Sequence, residues 1–234
     1  MKSLTVLVPI YNESRTIEEL VHQLKNLPKQ TFVEVIFVDD GSTDNSVELL
    51  ERACVNAKLP NRIIKKSNGG KASAILEGTK FLKTTHVVIL DSDLELAPND
   101  ITKLWEIVLK DNSDFVFGFR RFLSHSSFTY RYSRGNQVIS NIYGLLFNVI
   151  VTDIMCGYKL VPSNFLKQLK FKYKRFGLEI EIPMNMWLSR SRAFEVEVSY
   201  QARSRAEGKS ISVLDAFRII LCMVLFRITH RKPK

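Results

Sequence analysis

Short apolar runs alternate with helical stretches along the first half of the chain, one pair about every 25 residues, and that alternation is how βαβ units appear in sequence. Leu4 to Ile10, Val33 to Val38, Arg62 to Lys65, Val87 to Leu90 and Phe115 to Phe119 read as strands. Between them Ile17, Leu20, Val21, Leu24 and Leu27 recur at helical spacing until Pro28. Val47, Leu50 and Cys54 give a second helix its inner face, and Ala72, Ile75, Leu76, Thr79 and Leu82 a third; Pro98 opens a fourth through Leu109. Unbroken Val/Ile/Leu runs belong to strands buried on both faces. The fold class is therefore α/β: a Rossmann-like, mostly parallel sheet with helices on both faces.

Beyond Arg120 the character changes. Phe122 to Ser133 is polar and aromatic without a clear period, and Val138, Ile142, Leu145, Leu146 and Val149 then line one helical face. Leu178 to Leu188 reads as a helix, Phe194 to Val198 as a strand, and Ile211 to Ile228 is apolar nearly all round. The 34 Lys and Arg outnumber 24 Asp and Glu, a net charge of +10. Such an excess calls for an acidic partner: nucleic acid, an anionic membrane or a phosphorylated substrate. No nucleic-acid-binding motif is present, which leaves the last two. Cys54, Cys156 and Cys222 are scattered, with no disulfide framework and no C-x-x-C pair, as in a reducing compartment. The chain enters its first strand at once, with no signal peptide, so a cytoplasmic location is expected.

Val87-Val88-Ile89-Leu90 leads straight into Asp91-Ser92-Asp93-Leu94-Glu95. Carboxylates just past the C-terminal end of a buried parallel strand lie where open α/β sheets bind ligands. In extended chain these acids point the same way, and they repel one another unless a cation joins them. All-oxygen ligands suit Mg²⁺ or Mn²⁺, which usually complete their shell with substrate phosphates. A lone D-x-D is more often an acidic turn. Here polar turns also follow other strands, Asn12 and Glu13 after the first and Asp39 and Asp40 after the second, and a parallel sheet brings them to one edge.

Pro9-Ile10-Tyr11-Asn12-Glu13, Val38-Asp39-Asp40-Gly41-Ser42-Thr43-Asp44, Asn68-Gly69-Gly70-Lys71 and Asp91-Ser92-Asp93 stand in the order and spacing of the GT-A glycosyltransferases of family 2, which the chain resembles from Lys2 to Ile211. Within that family it is similar to the dolichol- and polyprenyl-phosphate hexosyltransferases. The resemblance implies a GT-A fold and transfer, with inversion, of mannose from GDP-mannose or glucose from UDP-glucose onto a polyprenyl or dolichyl phosphate. It implies that Pro9, Tyr11, Glu13, Val38 and Asp40 line the nucleotide base and ribose, with Lys71 and Ser92 in the same nucleotide-sugar site. Asp91 and Asp93 would hold Mg²⁺ or Mn²⁺ on the diphosphate, with Glu95, often Gln in relatives, as an extra ligand. Gly118-Phe119-Arg120 and Ser133-Arg134-Gly135 resemble two arginine positions that serve phosphates. Asp153-Ile154-Met155-Cys156-Gly157-Tyr158-Lys159 resembles a D-x-x-S/T-G-F/Y-R/K block, with Cys156 in place of the usual hydroxyl. Tyr200-Gln201-Ala202-Arg203 with Glu207-Gly208-Lys209-Ser210 resembles the basic loop that closes over the donor diphosphate, Arg203 and Lys209 being its cations.

Taken singly, these residues have plainer readings. Asp39 and Asp40 can cap a helix. Clusters such as Arg120, Arg121, Arg131 and Arg134 are commonly a solvated face. Glu179 and Glu181 match the family loosely and read as solvated or structural. His22, His86, His125 and His230 are isolated, and Ser42 is a turn residue rather than a nucleophile.

The acceptor decides the chemistry. A lipid monophosphate has a second pKa of about 6 and is already a nucleophile near pH 7. It needs positive charge to position it, which Arg120 and Arg134 offer. The alternative acceptor, a saccharide hydroxyl of a glycan or envelope polymer, needs a general base, and Glu179 or Glu181 is the candidate. A non-catalytic binding module is the third reading, and the intact Asp91-Ser92-Asp93 argues against it.

A helix from Ile211 to Ile228 would be about 27 Å long, but Asp215 and Arg218 weigh against crossing a bilayer. Lying flat would place Phe217, Ile220, Leu221, Val224 and Ile228 in the interface and Arg227, Arg231, Lys232 and Lys234 at anionic headgroups. Asn136 to Val151 is a second interfacial candidate. The expected organisation is a catalytic domain over 1–210 and an amphipathic helix with a basic tail over 211–234. The expected location is peripheral, on the cytoplasmic face of a membrane, with a membrane partner protein as the other route to anchoring.

Overall fold

The computed structural model describes residues 1–121, 130–172, 177–201 and 213–230. One mixed sheet runs through it, built from β1 (Leu4–Ile10), β2 (Glu34–Asp39), β3 (Asn61–Lys65), β4 (His86–Ile89), β5 (Val116–Arg120), β6 (Lys159–Pro162) and β7 (Phe194–Val198), in the order β3-β2-β1-β4-β6-β5-β7. Every pairing is parallel except those of β6, which runs antiparallel between β4 and β5. The helices are α1 (Ile17–Lys25), α2 (Ser46–Ala57), α3 (Lys71–Thr79), α4 (Asp100–Leu109), α5 (Tyr130–Phe147), α6 (Ser163–Gln168), α7 (Gly177–Leu188) and α8 (Val213–Thr229).

Strand alternation divides the core into two layers. Leu4, Val6, Val8 and Ile10 face one side of the sheet with Leu20 and Leu24 of α1, Leu50 of α2 and Leu104 of α4. Leu7 faces the other with Ile36, Ile75 of α3, Leu166 of α6 and Ile182 of α7. The register sets Ile10 beside Asp39 and Leu7 beside Ile89. The turns that leave β1, β2 and β4 therefore emerge along one edge, as the parallel pattern requires.

β6 and α6 carry no sequence signal strong enough to predict them. β6 is short, ends at Pro162 and contains Lys159, whose side chain is fully buried. Its ammonium donates to the carbonyls of Cys156 at 2.6 Å and Ile154 at 3.3 Å and lies 4.7 Å from the centre of the Phe117 ring. Burial holds its pKa below the ordinary lysine value.

α8, which begins just past the expected boundary near residue 210, packs on α5 and α7. Ile219 and Met223 of α8 are buried against Tyr143 and Phe147 of α5 and Trp187 of α7 in a third apolar cluster. Arg227 turns inward rather than to headgroup level: Nε donates to the Leu146 carbonyl at 3.0 Å and the guanidinium lies 5.2 Å over Trp187. A cation there complements the C-terminal end of α5. Ile220 and Val224 are only partly exposed, whereas Leu214, Phe217, Leu221, Leu225 and Ile228 form the outer apolar face. Among the described residues no helix is long and apolar enough to cross a membrane.

The second half of the sheet closes around Gly118 of β5. A Cβ there would sit 2.9 Å from Tyr158 Cβ, 3.1 Å from Val198 Cγ1 and 3.2 Å from Cys156 Sγ. Gly118→Ala is expected to destabilise the fold by about 1–3 kcal/mol through overpacking. The check is a lowered urea midpoint at unchanged slope; an unmoved midpoint would mean that β5, β6 and β7 part without cost.

Candidate active site

The strand ends open onto a cleft of 290 Å³. Pro9, Tyr11 and Glu13 reach it from the end of β1, Asp40 from β2, Asp91, Ser92 and Asp93 from β4, and Lys71 from the first residue of α3. The strand-end residues that the sequence marks thus share one site. Val38 does not: its side chain is buried in the core with Ile36 and Ile75, because strand alternation turns it away from the edge.

Lys71 stands at the centre. Its ammonium lies 2.8 Å from Asp91 Oδ1 and 2.9 Å from Glu179 Oε1. Burial works against that charge, but the Asp91 and Glu179 carboxylates outweigh it and hold the pKa above the ordinary lysine range. Glu179, solvated or structural on the plainer reading and the candidate base for a hydroxyl acceptor, belongs to the site. It is buried in the first turn of α7, and its Oε2 meets no hydrogen-bond partner among the described residues. Glu181 accepts from the backbone N–H of Lys172 instead, since two residues along a helix turn a side chain to the far side. One signal was available. Leu178, Ile180 and Ile182 make α7 apolar all round, and an acid inside such a helix requires a partner.

Asp40 lines the cleft, yet its carboxylate is taken up by the protein. It accepts from Lys66 Nζ at 2.6 Å, Gly70 N at 2.6 Å and Gly69 N at 3.0 Å, and so fixes the loop that leads to Lys71. Gly70 has φ +88°, a backbone state that favours glycine. Asp39 accepts from the Ser42 N–H at 3.2 Å and so fixes the turn after β2; it caps no helix, since α2 begins only at Ser46. Ser92 is likewise structural: its hydroxyl donates to the Pro9 carbonyl at 3.0 Å and ties β4 to β1. Thr16 links the same ends, its hydroxyl donating to the Ser92 carbonyl at 2.8 Å with Glu13 Oε2 the alternative acceptor at 3.0 Å.

The acidic segment is a turn, not extended chain. Leu94 has φ +59°, and the Glu95 N–H donates to Asp93 Oδ1 at 3.1 Å. The turn sends Glu95 away from Asp91. Its Oε2 accepts from the Tyr200 hydroxyl at 2.8 Å, and its carbonyl accepts from Gln201 N at 2.9 Å. Among the described residues no three His, Cys, Asp or Glu gather for a metal. Asp91 and Asp93 alone fit Mg²⁺ or Mn²⁺, hard ions that take one or two carboxylates and complete their shell with phosphates and water. Glu95, the expected extra ligand, ties the acidic turn to Tyr200 and does not line the cleft.

The two arginines do not meet at the cleft. Arg120 is 7% exposed and forms a two-pronged pair with Asp153, Nε to Oδ2 at 2.6 Å and Nη2 to Oδ1 at 3.0 Å. Its guanidinium also lies 5.1 Å from the centre of the Tyr200 ring. A buried arginine without a carboxylate would be costly, and Asp153 from the segment before β6 supplies one; among the described residues Arg120 is held by that pair and does not line the cleft. Arg134 is exposed in the first turns of α5, and its Nη1 donates to Gln137 Oε1 at 3.1 Å. Arg203 and Lys209 lie outside the described residues.

The family model for glycosyl transferase family 2 matches residues 5–193. An Edwardsiella ictaluri protein named undecaprenyl-phosphate 4-deoxy-4-formamido-L-arabinose transferase is 30% identical over 215 residues, 88% of this chain and 62% of its own. The Pyrococcus furiosus dolichol-phosphate mannosyltransferase is 32% identical over 117 residues, 50% of this chain and 32% of its own. The chain thus spans less than two thirds of the length of these curated relatives. A Mycobacterium tuberculosis glucosyl-3-phosphoglycerate synthase, solved with Mn²⁺, UDP and glucosyl-3-phosphoglycerate, superposes with a TM-score of 0.73 over 98% of this chain and 81% of its own. At 19% identity that likeness speaks for the GT-A fold alone. The match runs through the strand ends that build the cleft, and the chain belongs to glycosyl transferase family 2, a glycosyltransferase.

Proposed function

We propose that the chain transfers a hexose, mannose from GDP-mannose or glucose from UDP-glucose, onto a polyprenyl or dolichyl phosphate, with inversion and with a divalent cation. The observation that carries this reading is the gathering of Asp91, Asp93 and Lys71 in one cleft at the strand ends of a family 2 chain. Relatives named for undecaprenyl phosphate and dolichol phosphate support the acceptor, and a fold neighbour solved with Mn²⁺ and UDP supports the donor class and the metal.

In this mechanism Tyr11 and Pro9 form the ledge for the nucleotide. Asp91 and Asp93 would hold Mg²⁺ or Mn²⁺, which supplies Lewis-acid stabilisation of the leaving diphosphate. Lys71 fixes the orientation of Asp91 and keeps Asp91 and Glu179 from repelling each other. Arg203 and Lys209 would clamp the diphosphate as it leaves. The acceptor phosphate, anionic near pH 7, attacks without a general base, and Arg134 guides it with paired donors suited to phosphate.

A second reading, transfer to a saccharide hydroxyl, is favoured by one observation. Glu179 lines the cleft with Oε2 unpartnered, and a carboxylate so placed suits a general base.

The test is incubation of the protein with Mg²⁺ or Mn²⁺, a short polyprenyl phosphate and labelled nucleotide sugars, read as label in the lipid. Chelation is expected to stop transfer reversibly. Asp93→Asn is expected to lower kcat by about 10²–10³-fold with the fold intact. Full turnover in excess chelator would overturn the metal assignment.

The acceptor is read from a pair of variants. Arg134→Ala is expected to raise KM for lipid phosphate by about ten-fold or more, the worth of a charged hydrogen bond, and to leave KM for the donor unchanged. Glu179→Gln keeps an acceptor for Lys71 and is expected to retain most transfer to phosphate. Collapse of kcat in Glu179→Gln with an unaltered Arg134→Ala would favour the hydroxyl acceptor.

The membrane part of the proposal rests on the outer face of α8 and the net charge of +10. It places the chain peripherally on the cytoplasmic face of a membrane. Sedimentation with anionic vesicles is expected, partly reversed by high salt because the charge component is screened. Phe217→Ser with Leu221→Ser is expected to weaken it; vesicle binding equal to that of the parent chain would move the anchor elsewhere, to α5 or a membrane partner protein.

A further inference from the structure

Lys71 holds Asp91 by both oxygens. Its ammonium lies 2.8 Å from Oδ1 and 3.0 Å from Oδ2, and 2.9 Å from Glu179 Oε1. A divalent ion held by Asp91 needs one or both of the same two oxygens. The Lys71 and Asp91 side chains are each 27% exposed and both line the cleft, so an ion there reaches the oxygens that the ammonium covers. Two cations therefore compete for one carboxylate, and one of them must yield.

The surroundings decide which. Asp91 has little room to turn away: a Cβ on Gly157 would stand 2.7 Å from Oδ2, so the carboxylate is packed against the segment that precedes β6. Lys71 has somewhere to go. Glu179 already accepts from it through Oε1, and Oε2 is buried with no hydrogen-bond partner among the described residues. A buried carboxylate oxygen without a donor is costly. An ammonium that turns fully to Glu179 therefore recovers there part of what it loses at Asp91.

We infer that Lys71 is an exchangeable cation: a divalent ion arriving at Asp91 displaces the ammonium onto Glu179, whose second oxygen receives it. The inference rests on the reading of Asp91 and Asp93 as the ion's ligands. Before the exchange the lysine holds Asp91 in place, and after it the ion does. The exchange costs the Lys71–Asp91 pair, so the ion alone binds weakly. A nucleoside diphosphate that completes the ion's shell offsets that cost, and the two affinities are coupled through one lysine.

Mn²⁺ binding to the full chain, read as loss of the free-ion electron paramagnetic resonance signal, tests this without turnover. The paired variant Lys71→Met with Glu179→Gln removes one charge of each sign. The net charge of the cleft is kept, and no unpaired acid is left on α7. Without nucleotide it is expected to bind Mn²⁺ about ten-fold or more tightly than the parent, the worth of a charged hydrogen bond. UDP or GDP is expected to raise the Mn²⁺ affinity of the parent by a larger factor than that of the variant. Glu179→Gln alone keeps Lys71 on Asp91 and removes the receiving oxygen. It is expected to fold as the parent does and to bind Mn²⁺ without nucleotide about three- to ten-fold more weakly, a loss that saturating metal conceals in turnover. Equal Mn²⁺ affinity in the parent and the paired variant, the result of a lysine that acts through net charge alone, would overturn the inference by itself. Affinity undiminished in Glu179→Gln would do the same. Failure of Mn²⁺ to bind with nucleotide present, or binding undiminished by Asp93→Asn, would overturn the metal reading and this inference with it.

Discussion

One ammonium shared by two carboxylates holds the cleft together. Asp91 comes from the end of β4, Glu179 from the first turn of α7, and Lys71 from the start of α3. Without the lysine two acids would face each other at the mouth of an apolar sheet, and one would take up a proton or move away. Lys71 is in turn placed by others. Asp40 binds the N–H groups of Gly69 and Gly70 and so delivers the helix start to the acids, and Asp39 fixes the turn that sets Asp40. The acidic residues after β2 therefore act through the backbone, and the one after β4 acts through charge.

This division explains what the sequence made legible. β1, β2 and β4 announce themselves because burial on both faces leaves little room for polar residues. The half-exposed edge strand β3 and the short β5 fall in with their alternation, and the turns at the strand ends collect the site by topology alone. Tyr11, Glu13, Asp40, Lys71, Asp91 and Asp93 all stand where that topology puts them. What escaped is held by contacts that no local pattern encodes. Glu179 meets Lys71 across more than a hundred residues of chain, and Arg120 finds Asp153 from a segment with no periodicity of its own. A positive φ at Leu94 undoes the alternation on which the Glu95 reading rested. β6 hides because it is short and its buried lysine reads as a surface residue.

The second half of the molecule shows the same economy of roles. Tyr200 receives Arg120 on its ring and gives its hydroxyl to Glu95, so one side chain couples the acidic turn to the buried ion pair. Arg227 spends its charge on the end of α5 and on Trp187, which leaves the outer face of α8 to apolar side chains. Arg227 is thus drawn inward to organise the helices, while Arg218 stays exposed beside the apolar outer face.

The antiparallel β6 sets an order on how the chain assembles. His86 pairs with Pro162 and Ile89 with Lys159, so β4 waits for a strand made long after it. β1, β2, β3 and β4 are all present once Ile89 has been synthesised, and they are joined by local crossovers. Closing the β4 edge means pairing it with a strand that follows α4, β5 and α5, a non-local contact that is entropically costly and slow to form. Until that happens the nascent half-sheet presents His86 to Ile89 as an open apolar edge, the kind of surface on which unfinished chains pair with one another. The strand that later carries the acids of the cleft is, during synthesis, the point at which this protein is most exposed to misassembly.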